Sequence, residues 1–120
     1  MIQKFTDLDT WKEGHQLVLL IYKTTSSFPK TETYSLVDQM RRAVVSVTSN
    51  VAEGFGRQGQ KEKIQFLYLA LGSCYELKNQ LIISRDLNYL PTSNFQLLEV
   101  QLEKVAKLVN GSIRAIKSAN

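Results

Sequence analysis

Phe95, Leu98, Leu102, Val105, Val109, Ser112 and Ile116 recur alternately three and four residues apart, and this stripe limits the fold more than any other feature of the chain. Residues at that spacing share one side of an α-helix and no side of a strand. Ser93-Asn94-Phe95-Gln96 just ahead of it has the form of a capping box, the serine as cap and the glutamine three residues later. Three more helical segments precede it. The first begins near Asp7 or Asp9, carries Leu8, Trp11, Val18 and Tyr22 with Leu17, Leu20 and Ile21 beside them, and stops before Phe28-Pro29, because proline disfavours helix in the residue before it. After a loop at Lys30-Thr31-Glu32, the second runs from Thr33 or Ser35 to Gly54-Phe55-Gly56, where glycine is expected to supply a left-handed turn. The third spans Gln60 to about Leu87, and Asn88 and Pro91 mark its break. Only six glycines and two prolines occur, and long stretches contain neither, which suits helices. No segment alternates with period two and none repeats. The expected fold is all-α: one domain, residues 1–120, an antiparallel up-down-up-down four-helix bundle. A helix of roughly 25 residues spans about 37 Å, so the bundle should be elongated.

The second helix turns Leu36, Met40, Ala43, Val44, Val47 and Val51 toward a core and carries a polar ribbon, Gln39, Arg42, Ser46, Asn50 and Glu53, along one edge. With Gly72, Ser73 and Glu76 of the third helix, these residues form the expected network that holds helices and subunits in register. The third helix places Ile64, Leu67, Leu71, Cys74, Tyr75, Lys78 and Ile82 on one face. Val37, Val45 and Ala52, then Phe66, Leu69, Ala70, Leu77, Leu81 and Ile83, extend the apolar surface beyond the stripe of ~100° that a bundle helix normally buries. Surplus apolar surface of this kind points to a homo-oligomer joined through helices two and three. The alternative is a bundle whose central helices are tightly enclosed.

Hydrophobic residues are 43% and charged residues 22% of the chain, the balance of an ordinary globular domain. Cys74 is the only cysteine, which excludes an internal disulfide and a cysteine-built metal site and suits a reducing compartment. The first residues lack a basic start followed by an apolar run, and no window approaches the ~18 apolar residues of a membrane helix. The expected setting is cytoplasmic, away from membranes.

Candidate sites are few. Gly54-Phe55-Gly56-Arg57-Gln58-Gly59 has the letters of the GxGxxG fingerprint, but that motif needs a strand before it, and here a helix comes first. What survives is the start of helix three, where backbone N–H groups near Arg57, Lys61 and Lys63 suit a phosphate. Glu53 and Glu76 are the carboxylates expected to be partly buried, Glu53 accepting from Arg42 or from a helix end. His15, the single histidine, lies between Trp11 and Val18 without a second ligand. Ser46, Ser49 and Ser73 lack a His–Asp partnership, and Cys74 on the apolar face is expected to be inert. No catalytic residue, cofactor, metal or small-molecule substrate is expected. The remaining signal is basic: net charge is +4, pI is near 9.3, and after Glu103 the chain has four basic residues and no acidic one. Arg41, Arg57, Lys61, Lys63, Lys104, Lys107, Arg114 and Lys117 are the candidate phosphate contacts. Repetition of such patches in an oligomer would raise binding to RNA or other nucleic acid by avidity. The rival reading is a scaffold whose basic face meets an acidic protein.

Several stretches carry a family resemblance that covers nearly the whole chain. They are Phe5-x-Asp7-Leu8 with Trp11, Phe28-Pro29 followed by Tyr34, Gln39-Met40-Arg41-Arg42-Ala43, Ser46-x3-Asn50-Val51-Ala52-Glu53-Gly54, and Leu71-Gly72-Ser73-x2-Glu76-Leu77. In these the sequence resembles the four-helix-bundle proteins encoded in intervening sequences of 23S ribosomal RNA genes, some labelled ribosomal proteins. It is also similar to accessory proteins of diversity-generating retroelements. Val47 and Val51 stand where isoleucine is common, and the loop Phe55–Lys61 is less regular than in the family. The resemblance implies an antiparallel four-helix bundle, a ring-shaped pentamer with a basic surface, and binding of nucleic acid.

Overall fold

The stripe from Phe95 to Ile116 lies on the last of four helices in the computed structural model, which describes residues 1–119. The helices are α1 (Asp9–Thr25), α2 (Leu36–Gly56), α3 (Gln60–Asp86) and α4 (Thr92–Ser118). A 3-10 turn at Phe5–Asp7 precedes α1, and a second, at Lys30–Glu32, occupies the expected loop. No strand occurs among the described residues. Each helix packs on two others: α1 on α2 and α4, α3 on α2 and α4. Contacts along each pair run in opposite order. Met40 meets Ser84 while Ser46 meets Ser73, and Thr10 meets Ser112 while Glu13 meets Gln101. The result is an elongated four-helix bundle measuring 47 × 24 × 21 Å.

The core contains Leu17 and Ile21 of α1, Met40, Val44 and Val47 of α2, Leu77 and Leu81 of α3, and Val105 and Val109 of α4. The apolar face of α3 is rotated from the expected one. Leu67, Ala70, Cys74, Leu77 and Leu81 point inward, Leu71 is half-buried, and Tyr75 is exposed. Val37, Ala70, Leu77 and Leu81 were expected to be surplus surface; they are core residues, enclosed by the single chain. Val45, Leu69 and Ile83 do stay exposed. The interior also holds polar groups. Ser84 donates to the Gln80 carbonyl oxygen at 2.8 Å and to the Met40 sulfur at 3.4 Å. Gln80 is 3% exposed, and its Oε1 has no hydrogen-bond partner among the described residues. An unmet group of this kind costs roughly 1–3 kcal/mol.

Three helix ends differ from expectation. Helix α4 begins at Thr92, so Ser93 sits inside the first turn and cannot cap it. The Pro91 carbonyl instead accepts the first helical bond, from Phe95 N at 2.9 Å. Helix α2 does not close through a left-handed glycine, since no glycine has positive φ; Arg57 leaves it in extended conformation. Gly54 is needed for space. A Cβ there would stand 3.2 Å from Phe66 Cβ and 3.4 Å from the Lys63 carbonyl oxygen. The left-handed closure occurs at Asn88 (φ 64°), where Asn88 N bonds the Arg85 carbonyl and Tyr89 N bonds the Ser84 carbonyl, ending α3 in a Schellman motif. Lys117 and Ser118, expected to fray, are helical, because α4 reaches Ser118; Asn120 lies outside the described residues.

Two carboxylates tie separate segments together. Gln101 donates to Glu13 at 3.0 Å and Lys104 approaches it at 3.2 Å; these contacts hold the Glu13 carboxyl below its ordinary value of 4.5. Ser35 at 2.7 Å and the Tyr89 hydroxyl at 3.1 Å do the same for Glu32. Both groups bind protons more weakly folded than unfolded. Their contribution to stability is therefore full above the ordinary value and is lost as pH falls through the lowered ones. Thermal melts followed by circular dichroism should show a midpoint that falls between about pH 5 and about pH 3, and a smaller fall in the Glu13→Gln/Glu32→Gln double variant. Denaturant unfolding should separate the two faces of α3: Leu81→Ala costs about 2–5 kcal/mol, whereas half-buried Leu71→Ala costs less, about 1–2 kcal/mol.

Candidate nucleic-acid interface

The polar ribbon of α2 divides in two. Asn50 Nδ2 donates to the Ser46 carbonyl at 2.8 Å and to Ser46 Oγ at 3.0 Å, and Ser73 Oγ donates to Ser46 Oγ at 2.9 Å. These three residues form the network that joins α2 to α3. The others lie outside it. Arg42, its side chain 80% exposed, pairs with Asp38 one turn earlier, and Glu53 pairs with Arg57 one turn later. Both expected features of Glu53, burial and a bond from Arg42, are therefore corrected: Arg42 lies three turns away along α2, while Arg57 is within reach. Gln39 and Glu76 are exposed, Glu76 against expectation, because it lies on the outer side of α3, roughly opposite the inward-facing Leu77 and Leu81. A Cβ on Gly72 would meet nothing within 4 Å, so that glycine faces open space.

The eight candidate cations fall in four places. Arg41 ties α2 to α1, bonding Thr25 Oγ1 at 3.0 Å and the Tyr22 carbonyl at 3.3 Å, with its guanidinium 4.6 Å from the Tyr22 ring centroid. At the α2–α3 junction Arg57 lies over Phe66, and Lys63 donates to the Phe55 and Gly54 carbonyls at 2.9 and 3.4 Å. That lysine satisfies the carbonyl end of α2, so it is not free for a phosphate. Lys104 is directed to Glu13 on α1. The remaining four gather on the edge shared by α3 and α4. Lys117 donates to the Tyr68 hydroxyl at 2.9 Å, whereas Lys61, Lys107 and Arg114 are exposed and form no ion pair among the described residues.

This edge also carries residues that the sequence reading did not single out. Tyr68 and Tyr75 lie seven and fourteen residues after Lys61, nearly in line on α3, and are 48% and 67% exposed. The signal was the spacing of seven, obscured by the assignment of Tyr75 to the apolar face. Farther along the seam Lys78 bridges Glu99 at 2.7 Å and Glu103 at 3.5 Å. The Glu99 hydrogen bond is the chief cause of the raised Lys78 pKa.

Elsewhere the chemistry is spare. His15 is half-buried and stacks on Trp11 with centroids 4.7 Å apart. Burial pushes the Cys74 thiol up to about 12, well away from the thiolate that reacts. A pocket of about 250 Å³ at one end of the bundle is walled by Leu8, Val51, Phe55, Leu67 and Ile116. The hydroxyls beside it, on Thr10 and Ser112, bond each other at 3.2 Å, so the pocket is an apolar hollow rather than a set of reacting groups. Among the described residues no cluster of three His, Cys, Asp or Glu could hold a metal, and no helix is long and apolar enough to cross a membrane.

Comparison with known proteins places this geometry in context. The family model described as 23S rRNA-intervening sequence protein matches residues 6–111. A crystal structure of a protein of unknown function from the S23 ribosomal protein family of Bacteroides thetaiotaomicron superposes with a TM-score of 0.78 at 18% identity. The alignment covers 87% of this chain and 97% of that one. At that identity the likeness concerns the fold. No curated protein matches the chain.

Two neighbouring substitutions test the network. Ser73→Ala should cost about 1 kcal/mol by removing the bond to Ser46. Gly72→Ala should stabilise an isolated subunit by roughly 0.5–1 kcal/mol, because a helical glycine in open space gives up only propensity. Urea unfolding of both variants reads the difference.

Proposed function

The chain belongs to the 23S rRNA-intervening sequence protein family, and from that footing we propose that it is a non-enzymatic bundle that self-associates and binds RNA or other nucleic acid. The observation that carries this reading is the edge of Lys61, Lys107, Arg114 and Lys117. Three of these cations are unpaired, and the sequence beyond Glu103 supplies no acid to neutralise them. Phosphate contacts made there position a nucleic acid without reading its sequence. The other four candidates, Arg41, Arg57, Lys63 and Lys104, are given a lesser part in this reading because protein oxygens already engage them. Self-association rests on a smaller apolar set than the sequence implied: Leu69, Ile83 and Leu87 stay exposed around α3, and Val45 stays exposed on α2, beside Tyr22 and Arg41. A ring of identical subunits, five being the expected number, would repeat the basic edge and multiply its affinity.

A second reading is an accessory subunit for an acidic protein. Exposed Leu97 and Val100 sit one turn and more before Lys104 and Lys107 on the outward side of α4, a surface suited to an acidic amphipathic helix.

Filter binding to RNA and to duplex DNA across salt concentrations separates the readings. The nucleic-acid reading expects a slope of log affinity against log salt of about −3 for three or four phosphate contacts on duplex DNA. Lys107→Gln and Arg114→Gln should each reduce that slope by about 1. A salt-insensitive affinity, or none at micromolar protein, defeats it. Light scattering reads the assembly, and a stable single subunit at high concentration removes the avidity argument.

A further inference from the structure

We propose that the α3–α4 edge is a stacking platform for single-stranded nucleic acid, with Tyr68 and Tyr75 taking base faces and Lys61, Lys107, Arg114 and Lys117 tracking the phosphates. This rests on the nucleic-acid reading above and goes further, because it names the form of the strand. Seven residues of helix set the two tyrosines ~10.5 Å apart along the axis and only ~20° apart around it. Lys117 donates to the Tyr68 hydroxyl at 2.9 Å, and its ammonium lies 5.3 Å from the ring centroid. That ring is thereby held in place before any ligand arrives. Tyr75 is the more exposed of the pair, and its hydroxyl has no hydrogen-bond partner among the described residues.

The charges around the rings have the sign and placement a strand needs. Lys61 lies two turns before Tyr68 on the same side of α3. On α4, Arg114 and Lys107 lie ~60° and ~80° around the helix from Lys117, so they border the rings from outside. The carboxylates are directed elsewhere: Glu76 sits ~100° around α3 from Tyr75, on the α2 side, while Glu99 and Glu103 are engaged by Lys78. Exposed aromatic faces interleaved with cations are the combination that binds unpaired bases without sequence preference. A duplex cannot use the rings. Its bases are paired and stacked about 3.4 Å apart along each strand, and they offer no free face to a side chain at this spacing.

Fluorescence anisotropy with a labelled single-stranded RNA of about a dozen nucleotides, and with the same sequence annealed to its complement, tests the assignment. The intact protein should bind the single strand more tightly than the duplex. Tyr75→Ala should weaken the single strand roughly 5- to 150-fold and leave the duplex unchanged. Tyr75→Phe, which keeps the ring, should retain binding. Lys107→Gln and Arg114→Gln should weaken both forms. If both tyrosine variants bind like the parent while the charge variants weaken binding, the platform is overturned and the electrostatic reading stands. If neither form binds in a salt-dependent way, both are overturned. An unchanged circular-dichroism melt for Tyr75→Ala excludes misfolding as the source of a loss.

Discussion

The close packing of α2 on α3 sets where the rest of the molecule can stand. Gly54 lets the end of α2 approach Phe66 without a side chain between them, and Lys63 reaches back to satisfy the carbonyls exposed there. Farther along, Ser46, Asn50 and Ser73 fix the spacing, and Met40 meets Ser84 in the interior. These contacts allow α3 one rotation. With Leu77 and Leu81 turned inward, Tyr68 and Tyr75 must face the α4 edge, while Leu69 and Ile83 must face the α2 side. One helix thus carries two surfaces of different chemistry, an aromatic and basic one and an apolar one.

Charge on this bundle is not the same as charge available to a partner. Arg41 and Lys63 are held by carbonyl and hydroxyl oxygens, and Arg57 and Lys104 by carboxylates. Solvent-exposed pairs of this kind add little stability, yet they occupy the cation. Among the described residues Lys61, Lys107 and Arg114 have no carboxylate partner and share one edge with Lys117, while Lys4, Lys12, Lys23 and Lys30, also exposed and without an ion pair, lie apart from it.

Four helices, their order and most of their limits were legible in the sequence, because α1, α2 and α4 each carry an apolar face of helical period. The orientation of α3 was not. Leu69, Tyr75 and Ile83 are apolar and exposed, so the helix is greasy around most of its circumference, and periodicity alone cannot choose its inner face. Helix ends failed for a related reason: Ser93 and Gly54 are residue types that usually cap or terminate, but the Pro91 carbonyl accepts the first bond of α4, and α2 ends with Arg57 extended and Lys63 on its last carbonyls. The basic residues were visible as a set. Which were spent was not, because Lys104 with Glu13 and Arg41 with Thr25 are pairs made between helices, and one-dimensional spacing carries no record of that register.

Three of the four helix seams join segments that follow one another in the chain, across connections of three to ten residues. The fourth, α1 against α4, brings together residues about a hundred positions apart, such as Thr10 and Ser112. The entropy of ring closure is therefore concentrated in a single step. A hairpin of α2 and α3 can assemble from local encounters, with the two terminal helices zipping on from either flank. The α1–α4 seam therefore has no short connection to hold its two helices together, and its contacts, such as Glu13 with Gln101 and Lys104, depend on the other three seams being in place.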